Sequence, residues 1–327
     1  MNKSFSYSVA IRTLGKAGDK FKQELVSLHT QTVPPTHVFV YIAEGYSRPE
    51  FTIGIEEYII VNKGMVSQRA LQYKEVDTDY LLLLDDDVYV PEDGVEKLYD
   101  AMQKESGDCV AADSFHPQDY PLKTVIRDFI TNQSYPRRND GWAFKVNRNA
   151  SFSYNKYPGK GIYKSQSASG PASFWKTKVF KEIHFEDEKW LDELGFAYGE
   201  DLLLFHKLYK NGYNLLVHYG SGLIHLDAGS SRKDYSASKS RLQDRAKIWF
   251  ILWYRTCFDL TGITFINKVM SVVSFAMKVL LGAIVHLGYS VVKFNPSLFV
   301  MFVKGNIQGY RFIHSQTYKR IPNFILK

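Results

Sequence analysis

The sequence predicts an α/β fold, one mostly parallel sheet with helices on both faces, followed by C-terminal amphipathic helices. Three observations carry this. Short, continuously apolar segments alternate with segments of helical period, as in sheets buried on both sides. The 327 residues are 45% hydrophobic and 23% charged, values of a globular chain long enough for a large core. The last quarter changes character, becoming basic and strongly apolar.

The elements follow in order. Tyr7 to Ile11 reads as a buried strand, and a polar loop runs from Arg12 to Asp19. Phe21, Leu25 and Leu28 recur at helical spacing until Pro34-Pro35 closes that helix. His37 to Ile42 and Tyr58 to Val61 are the next strands, Met65 to Tyr73 a helix, and Tyr80 to Leu84 a fully apolar strand. A polar, aromatic, loop-rich region spans Asp113 to Ser169. Gly170 to Trp175 returns to a strand and Lys178 to Ile183 to a short helix. Leu202, Leu203, Phe205, Leu208 and Tyr209 mark a helix that Asn211-Gly212 ends, and Tyr213 to Val217 is a further strand. Gly222 to His225 leads into a Gly/Ser loop ending at Ser231.

Two acidic groups stand at positions where such folds bind ligands. Asp85-Asp86-Asp87 leaves the apolar strand at what would be the carboxyl edge of the sheet. Hard oxygen ligands there suit Mg²⁺ or Mn²⁺, ions that commonly bridge a diphosphate; a solvated acidic turn is the plainer alternative. Glu200 and Asp201 open a helix, where its positive dipole end favours carboxylates. Taken alone, such a pair reads more simply as an acidic N-cap without chemistry.

The two cysteines, Cys109 and Cys257, exclude a disulfide scaffold and a Cys-rich zinc module. Met1 to Leu14 has no apolar run of signal-peptide form, which predicts a cytoplasmic body. Charge is divided unevenly. Residues 241–327 hold twelve Lys or Arg and two acids, Asp244 and Asp259, a net +10, against −3 for residues 1–240.

Read together, residues 5–230 resemble the family 2 inverting glycosyltransferases, the nucleotide-diphospho-sugar transferases of the glycosyltransferase A fold. Val9 to Thr13 resembles the family's first nucleotide-binding strand and loop, and Leu28 to Pro34 its "SLLxQTYP" helix end. Asn62 to Arg69 is similar to its "GxxxARN" stretch, Tyr80 to Pro91 to the strand carrying the Asp-x-Asp motif, and Gly199-Glu200-Asp201 to its "GED" helix. The resemblance implies a Rossmann-like sheet and a role for each matching position. Asp86, supported by Asp85, meets the donor. Asp87 binds the metal, with Asp85 and His225 as further candidates. Thr13 and Arg69 line the nucleotide pocket. Glu44 stands where the family often has a base-reading Asp. Asp201 is the general base and Glu200 its neighbour at the acceptor. A histidine in a Gly-rich loop is as readily structural, so His225 stays open between the two.

The implied reaction needs a metal to neutralise the departing diphosphate and a carboxylate to take the acceptor's proton. A metal-dependent sugar nucleotidyltransferase is the first rival, but Arg12 to Lys20 holds only Gly15 and Gly18 for a triphosphate loop. A non-catalytic nucleotide-sugar binder is the second. Gln243, Arg245 and Trp249 lack the Gln-x-x-Arg-Trp spacing of the processive synthases, which points to transfer of one sugar at a time, as in a rhamnosyltransferase-like or related bacterial glycan-assembly enzyme.

The chain divides on this reading into a catalytic domain, 1–240, with a nucleotide-sugar half (1–112) and an acceptor half (113–240), and a membrane-associating tail, 241–327. In the tail, Val269 to Val292 carries a polar stripe of Ser271, Ser274, Lys278, Gly282 and His286. That pattern predicts a helix lying in the interface with Lys278 in water, rather than a span. Long apolar runs among the bases favour an anionic membrane surface over nucleic acid, and so a glycan or lipid-linked acceptor in polysaccharide or glycolipid assembly. Helices closing the protein's own core or a dimer interface are the alternative.

Overall fold

The computed structural model describes residues 5–113, 122–195, 198–226 and 239–326. The chain begins β1 (Tyr7–Thr13), α1 (Asp19–His29), β2 (His37–Ala43), β3 (Glu56–Val61), β4 (Tyr80–Asp85), β5 (Val88–Tyr89), α2 (Gly94–Lys104) and β6 (Cys109–Ala112). It continues through α3 (Leu122–Ile130), β7 (Ser134–Arg137), β8 (Phe144–Val146), β9 (Phe152–Asn155), β10 (Ile162–Lys164) and β11 (Ala172–Lys176). Then come α4 (Thr177–Glu182), α5 (Trp190–Glu193), α6 (Glu200–Lys210), β12 (Leu215–His218) and β13 (Ile224–His225). The C-terminal part is α7 (Lys239–Trp253), α8 (Phe265–Val292), α9 (Ser297–Ile313) and α10 (Gln316–Lys319).

Among the described residues, eight strands form the main sheet in the order β10-β12-β6-β11-β4-β1-β2-β3. The pairs β3/β2, β2/β1, β1/β4 and β6/β12 are parallel, and β10 and β11 run against their neighbours. This is the mostly parallel α/β sheet expected from the apolar strands. Alternation along β1 serves both faces: Val9 and Ile11 pack with α1 and α2, while Ala10 packs on the side of α6 and α7.

Three expectations change. Met65 to Tyr73 is a series of turns rather than a helix. The Asp192 carboxylate accepts from the Val66 and Ser67 backbone N–H groups (3.1 and 2.7 Å) and holds the start of these turns, within which the Gln68 and Ala70 N–H groups donate to Gly64 O and Val66 O (3.0 and 2.6 Å). Gly64 is required beneath it, because a Cβ there would lie 2.2 Å from Asp192 Oδ2. The region read as loop-rich contains a separate sheet, β7-β9-β8. The Gly/Ser loop from residue 227 on and residues 114–121 lie outside the described residues.

The third change concerns the C-terminal helices. Ile248, Ile251 and Leu252 of α7 are fully buried in the core that holds α6 and β11. Arg255 pairs with Glu188 through two bonds of 2.7 Å, and Lys207 Nζ donates to the same carboxylate (3.1 Å). Near the C-terminus, Asn211 donates to Phe324 O and accepts from Leu326 N. The polar stripe of α8 faces the protein, not water. Ser271 Oγ donates to Arg148 O (2.8 Å), and Lys278, 5% exposed, donates to Asn149 O (3.3 Å) with its ammonium 4.3 Å from the Trp249 ring centre. Buried backbone carbonyls and an aromatic face replace the water that the stripe was expected to seek.

Candidate active site

The site forms at the carboxyl edge of the sheet, where β1 and β4 end side by side. Their parallel register places Arg12 opposite Asp85. Arg12 Nε donates to Asp85 Oδ1 (2.5 Å), and Arg69 Nη2 donates to the same oxygen (3.2 Å). Burial raises the Asp85 carboxyl, but Arg12 and then Arg69 outweigh it and hold the group down at about 2. Thr13 Oγ1 donates to Asp86 Oδ2 and accepts from the Gly15 N–H (2.7 Å). Asp86 is pushed up to about 6 by burial, against the Thr13 bond and with Asp87 and Asp85 adding to the rise.

Asp87 turns toward the second sheet edge. The antiparallel pair β5/β13 sets His225 opposite Val88. It brings His225 Nε2 to 2.9 Å from Asp87 Oδ1. The sequence order alone separates these residues widely; a ladder of two residues per strand joins them. Beneath them lies Glu24 of α1, fully buried, its carboxyl raised first by burial and then by the Asp86 and Asp87 charges.

Opposite the triad stands the start of α6. Arg69 Nη1 donates to Asp201 Oδ1 (2.5 Å), and the Gly170 N–H donates to Asp201 Oδ2 (3.1 Å). Arg69 also donates to Gly170 O (3.0 Å). Gly170 is dictated by closeness, since a Cβ there would lie 2.0 Å from Asp201 Oδ1. Asp201 keeps 36% of its side chain exposed, so it faces both Arg69 and solvent. Glu200 is buried, with Arg12 Nη2 at 3.9 Å. Burial, then the neighbouring Asp201 charge, push its carboxyl up to about 7 against the pull of Arg69 and Arg12.

The structure therefore gathers Thr13, Asp85, Asp86, Arg69, Glu200 and Asp201 into one network, with Asp87 and His225 as a pair at its edge. Arg69 is buried and bridges two carboxylates. Glu44 stands apart. It is exposed after β2, and its backbone N–H donates to Val61 O (2.7 Å). Arg12 and Gln68 were not singled out from sequence. Gln68 Nε2 donates to Thr13 O (3.1 Å) and ties the 62–69 turns to β1. Arg12 gave one usable signal, a cation at the end of an apolar strand next to Thr13.

The donor set fits a divalent cation. Of the three consecutive carboxylates and buried Glu24, only Asp85 is engaged by the two guanidiniums, and two of the four acids, Asp86 and Glu24, are raised by burial and crowding. Asp87 and His225 offer oxygen and nitrogen at one point. Among the described residues, no three His, Cys, Asp or Glu side chains are drawn together as a ready metal cluster.

The family model described as Glycosyl transferase family 2 matches residues 42–158, a span that includes Asp85 to Asp87 but not Glu200, Asp201 or His225. Among solved structures, S. aureus TarS 1–349 is 13% identical, with 84% of this chain and 71% of that chain covered and a TM-score of 0.48. GalNAc-T7 with UDP, GalNAc and Mn²⁺ is 12% identical, with 90% and 59% covered and a TM-score of 0.47. S. aureus TarS 1–349 in complex with UDP-GlcNAc is 12% identical, with 96% and 92% covered and a TM-score of 0.46. No curated protein matches the chain.

Proposed function

We infer that this chain, a glycosyltransferase with a family 2 region at residues 42–158, moves one sugar from a nucleotide-diphospho-sugar to an acceptor hydroxyl with inversion. The acceptor in this reading is a lipid-linked glycan or glycolipid precursor at the cytoplasmic face of an anionic membrane. The observation that carries the reading is the Arg69 bridge between Asp201 and Asp85, which sets a solvent-facing carboxylate across from the acidic end of β4.

Asp87 and His225 would hold Mg²⁺ or Mn²⁺, with Asp86 beside them and Asp85 engaged with its two guanidiniums. The cation would supply charge neutralisation for the departing nucleoside diphosphate. Thr13 holds Asp86 in place for the donor's ribose and diphosphate side. Asp201 accepts the acceptor's hydroxyl proton as that oxygen attacks the anomeric carbon from the face opposite the leaving group. Arg69 on Oδ1 and the Gly170 N–H on Oδ2 orient Asp201, whose side chain stays 36% exposed and open to an acceptor. Glu200, closer to neutral, lines the acceptor side without adding a full second negative charge.

A thermal-shift screen of nucleotide sugars with and without Mn²⁺, followed by a transfer assay on the best binder, tests the reading. Mn²⁺-dependent stabilisation and release of nucleoside diphosphate with acceptor are expected. Stabilisation by a nucleotide sugar with no turnover on any lipid-linked acceptor would favour the non-catalytic alternative.

A further inference from the structure

The 28-residue helix α8 is inside out for a water-facing helix. Its inner line, Ser271, Phe275, Lys278, Gly282 and Ser290, is buried against the protein. Its outer line is apolar and exposed: Met270, Val273, Met277, Leu280, Ile284 and Leu287 are 44–60% accessible. They recur every three or four residues, so they form one continuous stripe about 25 Å long at 1.5 Å per residue.

A helix with this stripe could face lipid or a second helix. A paired helix of this length normally carries charges flanking its apolar seam. Here the flanking positions Val269, Val272 and Ala276 are exposed and apolar, and Lys268 and Lys278 are the only charged residues of the helix. The ends are basic. Exposed Arg148 reaches Asn267 at the start of α8 (3.5 Å), Lys268 follows, and exposed Lys293 closes the helix. No Asp or Glu occurs after Asp259. The pattern is that of an apolar face rimmed by cations, complementary to acyl chains beneath anionic headgroups.

We propose that the outer face of α8 is the surface by which the protein inserts into one leaflet of an anionic phospholipid bilayer, with the helix axis parallel to the membrane plane. This rests on the membrane-surface part of the proposed function and adds which face enters and in what orientation. The orientation follows from the attachments of the inner face. Ser271 is tied to Arg148 and Trp253, Lys278 to Asn149, Gly282 packs on Phe302, and Ser290 Oγ accepts from the Phe299 N–H (3.0 Å). Crossing the bilayer would strip these contacts and place Lys278, the fourteenth residue of the helix, near the membrane centre.

The test is co-sedimentation of the full chain with vesicles of phosphatidylcholine and phosphatidylglycerol, without any sugar donor, so that it is read independently of transfer. Wild-type protein is expected to bind, less at molar salt than at low salt but not to zero, and to be released by alkaline carbonate. Leu280→Glu/Ile284→Glu, at positions 60% and 58% exposed, should lower partitioning by at least about tenfold with little change in thermal midpoint. Equal binding by the double variant overturns the assigned face. Retention through carbonate extraction overturns the in-plane orientation. A wild-type protein that ignores vesicles but sediments as a dimer, and becomes a monomer in the double variant, assigns the stripe to a second copy instead.

Discussion

The Arg69 guanidinium lies against Asp201, Nη1 to Oδ1 at 2.5 Å, and its other amine reaches Asp85 at 3.2 Å. One buried side chain thus links the start of α6 to the end of β4. In the proposed reaction this couples the base to the donor's acidic edge. A planar fork does this; a single ammonium cannot reach both carboxylates in the same way. Arg69→Lys should therefore lose about 10-fold or more in kcat, and Arg69→Met about 100-fold, with smaller changes in KM. Steady-state kinetics on the two variants would read this, and a Lys variant of wild-type kcat would remove the coupling role.

Asp201→Asn keeps the shape of the base and retains one acceptor oxygen, so it can still accept from Arg69 or from the Gly170 N–H, which bind different oxygens of the aspartate. It should bind donor nucleotide as tightly as wild type and lose about 10²–10⁴-fold in transfer. Calorimetry paired with a turnover assay separates the two. Undiminished transfer would place the base elsewhere in the network, with Glu200 the nearest candidate.

Much of this was legible in the amino-acid order. The strands declared themselves as continuous apolar runs, and Asp85 to Asp87 and Glu200-Asp201 stood at element ends. What the order could not show were contacts made across it. Arg69 and Asp201 are 132 positions apart, and nothing local marks them as partners. His225 reaches Asp87 through a two-residue ladder too short to leave a periodic signal. Met65 to Tyr73 has helical spacing, yet it forms a series of turns whose first N–H groups are held by Asp192, far along the chain. The stripe on α8 was visible, but periodicity gives the phase of a face and not the side on which solvent lies.

Metal dependence is checked at Asp87. Asp87→Ala removes one partner of His225 and one of the acids crowding Asp86 and Glu24. Nucleoside diphosphate should bind the wild type far more weakly in EDTA than with Mn²⁺, and the variant should bind about equally weakly in both. Calorimetric affinity of wild-type protein that is indifferent to EDTA would sink the role assigned to Asp87 and His225.

Glu200 gives a pH prediction. Its folded-state carboxyl is raised by burial and then by Asp201. Between its ordinary unfolded value, 4.5, and about 7, the folded state holds a proton that the unfolded state has released. The Glu200 contribution to stability is therefore complete below that window and is lost as pH rises through it. Glu200→Gln, which stays neutral, should be closer to wild type in stability at pH 5 and more stable than wild type at pH 8. Urea midpoints at the two pH values measure the difference, and an equal offset at both would show that Glu200 does not titrate in this range.

The last expectation concerns the attachment of residues 241–327. Glu188 and Lys207 have no exposed side chain and Arg255 has 4%, so the three form a buried ionic cluster joining α6 to the turn after α7. Asp187, 3.3 Å from Lys207, makes the cluster two cations against two carboxylates, so removing Arg255 leaves one negative charge uncompensated, typically at a cost of about 3–5 kcal/mol. Arg255→Met should therefore lower the urea midpoint in one transition that reports α6 and α7 together. Truncation before Arg241 goes further, because it also strips Ile248, Ile251 and Leu252, all fully buried, from the core shared with α6. At about 1.5–3 kcal/mol for each such side chain, the loss approaches the roughly 5–15 kcal/mol that holds an ordinary domain folded. The truncated chain should then be insoluble or lack a cooperative transition. A soluble, cooperatively folding 1–240 fragment that binds donor nucleotide would instead establish the catalytic domain as separable, with the C-terminal helices a docked appendage.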